Sequence, residues 1–136
     1  MQISFSKQEG RVPVTIMQLI GNLDASNYTD VIAQAQTVYD EGARDLLIDL
    51  SKVPYVSSAG LMSLHSVALI FVGQSMKSKE SGRPTFRSIN AQNEKTVRLH
   101  VKLLSPQPDV EQVLETVGLT QFLDIFTDLE TAAQSF

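Results

Sequence analysis

Ile3 and Phe5 alternate with polar neighbours, and this period of two predicts a short strand. Lys7-Gln8-Glu9-Gly10 reads as a turn. Residues 12–20 are rich in β-branched side chains, with Pro13 near the start, and predict a second strand paired with the first as a hairpin; Gly21 ends it. The period then changes. Tyr28, Val31, Ile32, Ala35, Val38 and Tyr39 fall at i, i+3, i+4, i+7, i+10 and i+11, the spacing of an amphipathic helix with one buried face. Asp24 and Ser26 both suit its N-cap, and Gly42 stands where a glycine stops a helix. Leu46-Leu47-Ile48 with Leu50 is too short for a helix and suits a strand buried on both faces.

A bend over Ser51-Lys52-Val53-Pro54 leads through Tyr55-Val56 to Ser57-Ser58-Ala59-Gly60, and a second helix is predicted from Leu61 to about Val72. Leu61, Leu64, Ala68, Phe71 and Val72 make an ordinary face. Val67, Leu69 and Ile70 widen it past one stripe, so this helix is either enclosed or offers apolar surface to a partner. Periodicity is lost over residues 73–97, with a breaker at Ser81-Gly82-Arg83-Pro84. Residues 73–98 are read as a polar, basic insertion, with a short helix near 88–95. Leu99, Val101 and Leu103 alternate with His100 and Lys102 and predict a strand. Pro106 or Pro108 opens a helix with Val110, Val113, Leu114 and Val117 on its face and Gly118 at its end. Residues 122–126 read as a last short strand and 129–135 as a terminal helix.

A strand–helix–strand order of this length implies crossovers and parallel pairing. The expected fold is α/β: a mixed β-sheet, with an N-terminal hairpin plus parallel strands, and about four helices packed against it. The chain has 136 residues, 43% of them apolar, which suits a single domain over 1–136. No run reaches the ~18 apolar residues of a membrane span, and the N-terminus lacks the pattern of a secretory signal, so a cytoplasmic protein is expected. Absence of cysteine removes disulfides, thiolate nucleophiles and cysteine-bound metals. His65 and His100 are 35 positions apart, so no metal or other cofactor is expected. The formal net charge is −4, unevenly spread: residues 73–98 carry +4 and the remainder −8. An acidic body speaks against nucleic-acid binding. The basic stretch suits a solvated loop, or contact with an acidic partner or a lipid surface.

Three blocks in order give the chain a resemblance to the STAS family, the sulfate-transporter and anti-sigma-factor-antagonist domains. They are Gly21-Asn22-Leu23-Asp24-Ala25; then Leu47-Ile48-Asp49-Leu50-Ser51 followed by Tyr55-Val56-Ser57-Ser58-Ala59-Gly60-Leu61; then Val113-Leu114-Glu115-Thr116-Val117-Gly118-Leu119 with Phe122 and Ile125-Phe126. The resemblance implies a STAS-like sheet and a non-enzymatic partner switch in transcription regulation. In such a switch an anti-sigma factor that is also a serine kinase binds the domain and phosphorylates one serine, and a PP2C-type phosphatase restores binding. The implied phosphoacceptor is Ser58, with Ser57 a lesser candidate and Asp24, Ala59 and Gly60 as neighbours. Ser57 stands where the family carries an aspartate, and Ala59 where many members carry Ser or Thr. Leu61, Met62, Leu69 and Ile70 are the expected partner interface.

A serine at a helix start suits this role, because open N–H groups and the positive dipole end accept an anion there. Phosphate adds about −1.5 to −2 charges, which a partner fitted to a hydroxyl would not tolerate. The plain alternative for Ser57, Ser58 and Asp24 is helix capping, worth about 1 kcal/mol. A second function class is an unphosphorylated STAS adaptor subunit of a transporter or lipid-trafficking complex. Catalysis has little in its favour: Val56-Ser57-Ser58-Ala59-Gly60 lacks the leading glycine of a hydrolase elbow, and no phosphate-cradling glycine loop is present. His65 lies two helical turns past Ser58, about 10 Å away. A small-molecule ligand is a reserve possibility without an identified binding group.

Overall fold

The computed structural model describes residues 1–72, 97–121 and 123–136. The insertion expected at 73–98, apart from its last two residues, and the helix expected near 88–95 lie outside them. Strand β1 (Gln2–Glu9) pairs antiparallel with β2 (Pro13–Ile20). Helix α1 (Tyr28–Asp40) crosses to β3 (Leu46–Lys52), and α2 (Ser58–Phe71) follows. Then come β4 (Val101–Leu104), α3 (Pro108–Thr116), a 3-10 turn (Leu119–Gln121), β5 (Asp124–Phe126) and α4 (Leu129–Gln134). The sheet order is β1-β2-β3-β4-β5, and every pairing after the hairpin is parallel. This is the expected mixed α/β fold.

The sheet is covered on both faces. Met17, Leu19, Leu46, Ile48, Leu50, Val101 and Leu103 project to one side, into the main core with α1, α2 and α3. Val14, Ile16, Leu47 and Leu104 project to the other, under Ala132 of α4 with Phe126 and Phe136. The apolar run of β3 is therefore explained by its central place, with Leu46 and Ile48 on one face and Leu47 on the other. Helix α1 ends as its glycine predicts: Gly42 has φ +114°, and Ala43 N–H reaches back to the Val38 carbonyl.

Helix α2 is enclosed. Eleven of its fourteen residues are buried, so the broad apolar face is core rather than surface. Tyr39 of α1 meets Phe71 edge-on, with ring centroids 5.2 Å apart. His65 is 2% exposed within this core.

Four local expectations are corrected. Lys7, Gln8 and Glu9 belong to β1, opposite Thr15, Val14 and Pro13, so the hairpin turns later, around Gly10. Helix α2 starts three residues earlier than Leu61, at Ser58. The N-cap of α1 is Asn27 rather than Asp24 or Ser26. Residues 97–100 are helical and the strand begins only at Val101. The alternation of Leu99 with Val101 is therefore coincidental. Val97 and Val101 are both buried, while Leu99 is 59% exposed and His100 turns to Asp45, with Nδ1 2.8 Å from Oδ1.

Candidate functional site

The parallel strands β2 and β3 end at the same edge of the sheet, and the loops that leave them are joined. Leu23 and Val56 form an isolated parallel bridge. Leu23 N–H donates to the Tyr55 carbonyl and Ser57 N–H to the Leu23 carbonyl, both at 2.9 Å. This holds the Asp24 loop against the start of α2. Gly60 makes the approach possible. A Cβ there would lie 2.5 Å from the Leu23 carbonyl oxygen and 2.9 Å from both Leu23 Cγ and Val56 Cγ1. No side chain fits between the helix and the loop, so the glycine is needed for closeness rather than for an unusual φ. The β4–α3 loop joins the same edge through Gln107 Nε2, which donates to the Ser51 carbonyl at 3.1 Å.

The two serines have different places. Ser57 is the N-cap of α2, and its Oγ accepts from Gly60 N–H at 3.2 Å. Ser58 is the first helical residue and is exposed, and its hydroxyl has no hydrogen-bond partner among the described residues. First-turn N–H groups have no intrahelical acceptor, so the ground at Ser58 favours an anion. Ala59 is half-buried beside it.

Asp24 is engaged within its own loop. One carboxylate oxygen accepts from Ser26 N–H at 2.9 Å and from Ser26 Oγ at 2.6 Å. The Ser26 hydroxyl and then its N–H hold the Asp24 carboxyl below the usual aspartate range, so it is an anion at neutral pH. Asn27 braces the same turn: Oδ1 accepts from Asp24 N–H and Nδ2 donates to the Asn22 carbonyl. Asn27 is buried, and sequence patterning passed over it because Asp24 and Ser26, equally good cap types, preceded it.

The four residues expected at a partner interface separate. Leu61, Leu69 and Ile70 are 5%, 6% and 2% exposed and belong to the core. The expectation that Leu69 and Ile70 offer surface is thus corrected. Met62 is half-buried, one turn past Ser58. Tyr55 is 54% exposed at the loop carrying the serines. Its exposure has no signal in a sequence where aromatics usually mark core.

Among the described residues no group of His, Asp or Glu is arranged to hold a metal, and no helix is long and apolar enough to cross a membrane. A search of curated protein sequences gives no match. The STAS domain family matches residues 6–70, just under half of the chain. Several solved structures share the fold. SpoIIAA, an anti-sigma factor antagonist in its unphosphorylated form, is 15% identical, with 96% of this chain and 94% of that one covered and a TM-score of 0.57. A candidate anti-sigma factor antagonist from Thermotoga maritima is 17% identical over 96% and 90%, with a TM-score of 0.70. The Bacillus cell-fate determinant SpoIIAA in its phosphorylated form is 17% identical over 94% and 96%, with a TM-score of 0.55. Identities this low speak for the fold, which this chain shares with those structures, and the STAS domain family model matches its serine-bearing half.

Proposed function

We propose that the protein is a non-enzymatic partner switch whose state is set by phosphorylation of Ser58. The observation that carries this is the position of Ser58: an exposed, unpartnered hydroxyl at the first residue of α2, beside a loop that presents the Asp24 carboxylate. The helix N-terminus accommodates a phosphate, contributing roughly 0.3–1 kcal/mol. The fold therefore survives modification. A partner seated over Ser58, with Tyr55 and Met62 as flanking apolar contacts, meets two added charges. A loss of ~3 kcal/mol in binding is about a hundredfold in affinity, enough for switching without rearrangement. Ser57 is already used as the cap, which leaves Ser58 the better acceptor.

By the same reading the partner is an anti-sigma factor with serine kinase activity, opposed by a PP2C-type phosphatase, in the cytoplasm. That a fold relative exists in a phosphorylated form supports it. The test is intact-mass and peptide analysis of protein purified from its native cells. A gain of about 80 Da, one phosphoryl group, on the Ser58 peptide is expected, and its absence in Ser58→Ala. Protein unmodified through growth and stress would overturn the switch and leave a constitutive STAS adaptor of a transporter or lipid-trafficking complex in its place.

A further inference from the structure

A cavity of about 480 Å³ opens at the other end of the sheet, between the C-terminal end of α1 and the hairpin. It precedes β3, whereas Ser58 follows it, so the two sites are separated by the length of that strand, roughly 20 Å. Phe5, Val38 and Ala43 give it apolar walls. Its polar lining includes Lys7, Thr15 and Arg44. Thr15 lines the cavity and is 8% exposed, and its hydroxyl makes no hydrogen bond among the described residues. No buried side-chain oxygen or nitrogen of the described residues lacks a partner, so this hydroxyl is open to the cavity and free to bond to what enters it. Lys7 faces Thr15 across the β1–β2 ladder and also lines the cavity.

Arg44 is the third group, and it is held in place. Nη1 donates to the Tyr39 and Ala43 carbonyls, each at 2.8 Å, and the guanidinium lies 3.9 Å from the centroid of the Tyr39 ring. A guanidinium has five N–H donors. Those on Nε and Nη2 have no partner among the described residues, and because the side chain is already fixed, little further entropy is lost when they bind. Two carboxylates share the lining. Asp45 is occupied by His100, at 2.8 Å, and Glu41 is exposed at the end of α1. The lining thus sets two cations and a hydroxyl against two carboxylates, of which Glu41 has no hydrogen-bond partner among the described residues, beside apolar walls.

We propose that this cavity binds a small carboxylate with an apolar tail. The carboxylate sits between Arg44 and Lys7 and accepts from the Thr15 hydroxyl, and the tail lies along Phe5, Val38 and Ala43. The volume is within the range of small-molecule sites, about 300–1,000 Å³. Glu41 disfavours a second negative charge and so selects monoanions. The site is independent of Ser58 and of any partner there.

Octanoate is the probe, with octylamine and octanol as controls, titrated against the full chain and followed by amide chemical shifts and calorimetry. Saturable shifts are expected at Thr15, Gly42 and Ala43 and not at Ser58, with octanoate at least about tenfold tighter than either control. Arg44→Gln should abolish binding, Thr15→Val and Lys7→Gln should each weaken it several-fold, and Glu41→Gln should tighten it. Lys7 is exposed on an edge strand, so Lys7→Gln tests the site even if Arg44→Gln, which also loses the α1 end bonds, fails to fold. Octanol binding as tightly as octanoate, affinity unchanged in Lys7→Gln, or no saturable shift overturns the proposal.

Discussion

Gly60→Ala separates two opposing forces at the one point where α2 touches the Asp24 loop. In an exposed helix the change would stabilise by up to about 1 kcal/mol, because alanine is the better helix former. Here the new Cβ falls 2.5 Å from the Leu23 carbonyl oxygen, where ordinary contact begins at 3.4 Å. The loop must retreat by about 1 Å, and the atom that retreats is backbone. Overpacking of this kind costs about 1–3 kcal/mol. The same carbonyl accepts from Ser57 N–H at 2.9 Å, so its displacement also weakens a hydrogen bond worth about 1 kcal/mol. After the propensity gain is subtracted, a net loss of about 1–3 kcal/mol is expected. For a chain of 136 residues each kcal/mol moves Tm by about 3–5 °C, so a fall of about 3–15 °C should appear in thermal unfolding followed by circular dichroism. Amide exchange at Ser57 and Leu23 should accelerate more than at Ile48, in the centre of the sheet. A Gly60→Ala protein as stable as the parent, or more stable, would refute the claim that this glycine exists for closeness.

Other substitutions test the remaining assignments. Ser57→Ala should cost about 1 kcal/mol in urea unfolding through loss of the α2 cap, and Ser57→Asp should restore it, since aspartate caps as well as serine. Val97→Asn should destabilise by about 2 kcal/mol or more while Leu99→Asn stays within about 0.5 kcal/mol, and comparable losses at both positions in chemical denaturation would show that residues 97–100 are strand after all. Lys102 is 4% exposed, its Nζ 3.9 Å from Asp124 and over the Phe126 and Phe136 rings, and burial lowers its pKa below 10.5. The unfolded chain then binds the proton more tightly than the folded one, so wild-type stability relative to Lys102→Met should rise with pH between the lowered folded value and 10.5. A difference that is flat or falls over that window, measured by urea unfolding, would contradict it.

Alternation and helical spacing were enough for the hairpin, for α1 with its Gly42 stop, and for β3 buried on both faces, because these patterns report local geometry directly. They misplaced the start of β4, since Leu99, Val101 and Leu103 satisfy period two while only the packing shows Leu99 exposed and Val97 and Val101 buried a helical turn apart. They also left α2 ambiguous. A helix apolar all round is compatible with enclosure or with a docking face, and only its neighbours decide. At the candidate site the serines were legible as a helix start. The division of roles was not: Ser57 caps and Ser58 is exposed because α2 begins three residues earlier than its first large apolar side chain suggests.

Read along the chain alone, the residues specify an α/β chain with a hairpin followed by crossovers, an acidic body without cysteine, and a serine pair at the entry to a helix. These follow from periodicity, composition and capping preference, which act within a few residues. The tertiary structure decided what depends on residues far apart in the chain. Leu23 meets Val56 and Gly60 because parallel β2 and β3 end side by side, which brings Asp24 to the serine loop. Leu69 and Ile70 become core because α1 and the sheet enclose α2. Arg44, Lys7 and Thr15 share a cavity because the hairpin register sets Lys7 opposite Thr15 beneath the end of α1. Burial and juxtaposition are set by the closing of long loops, and no local pattern encodes them.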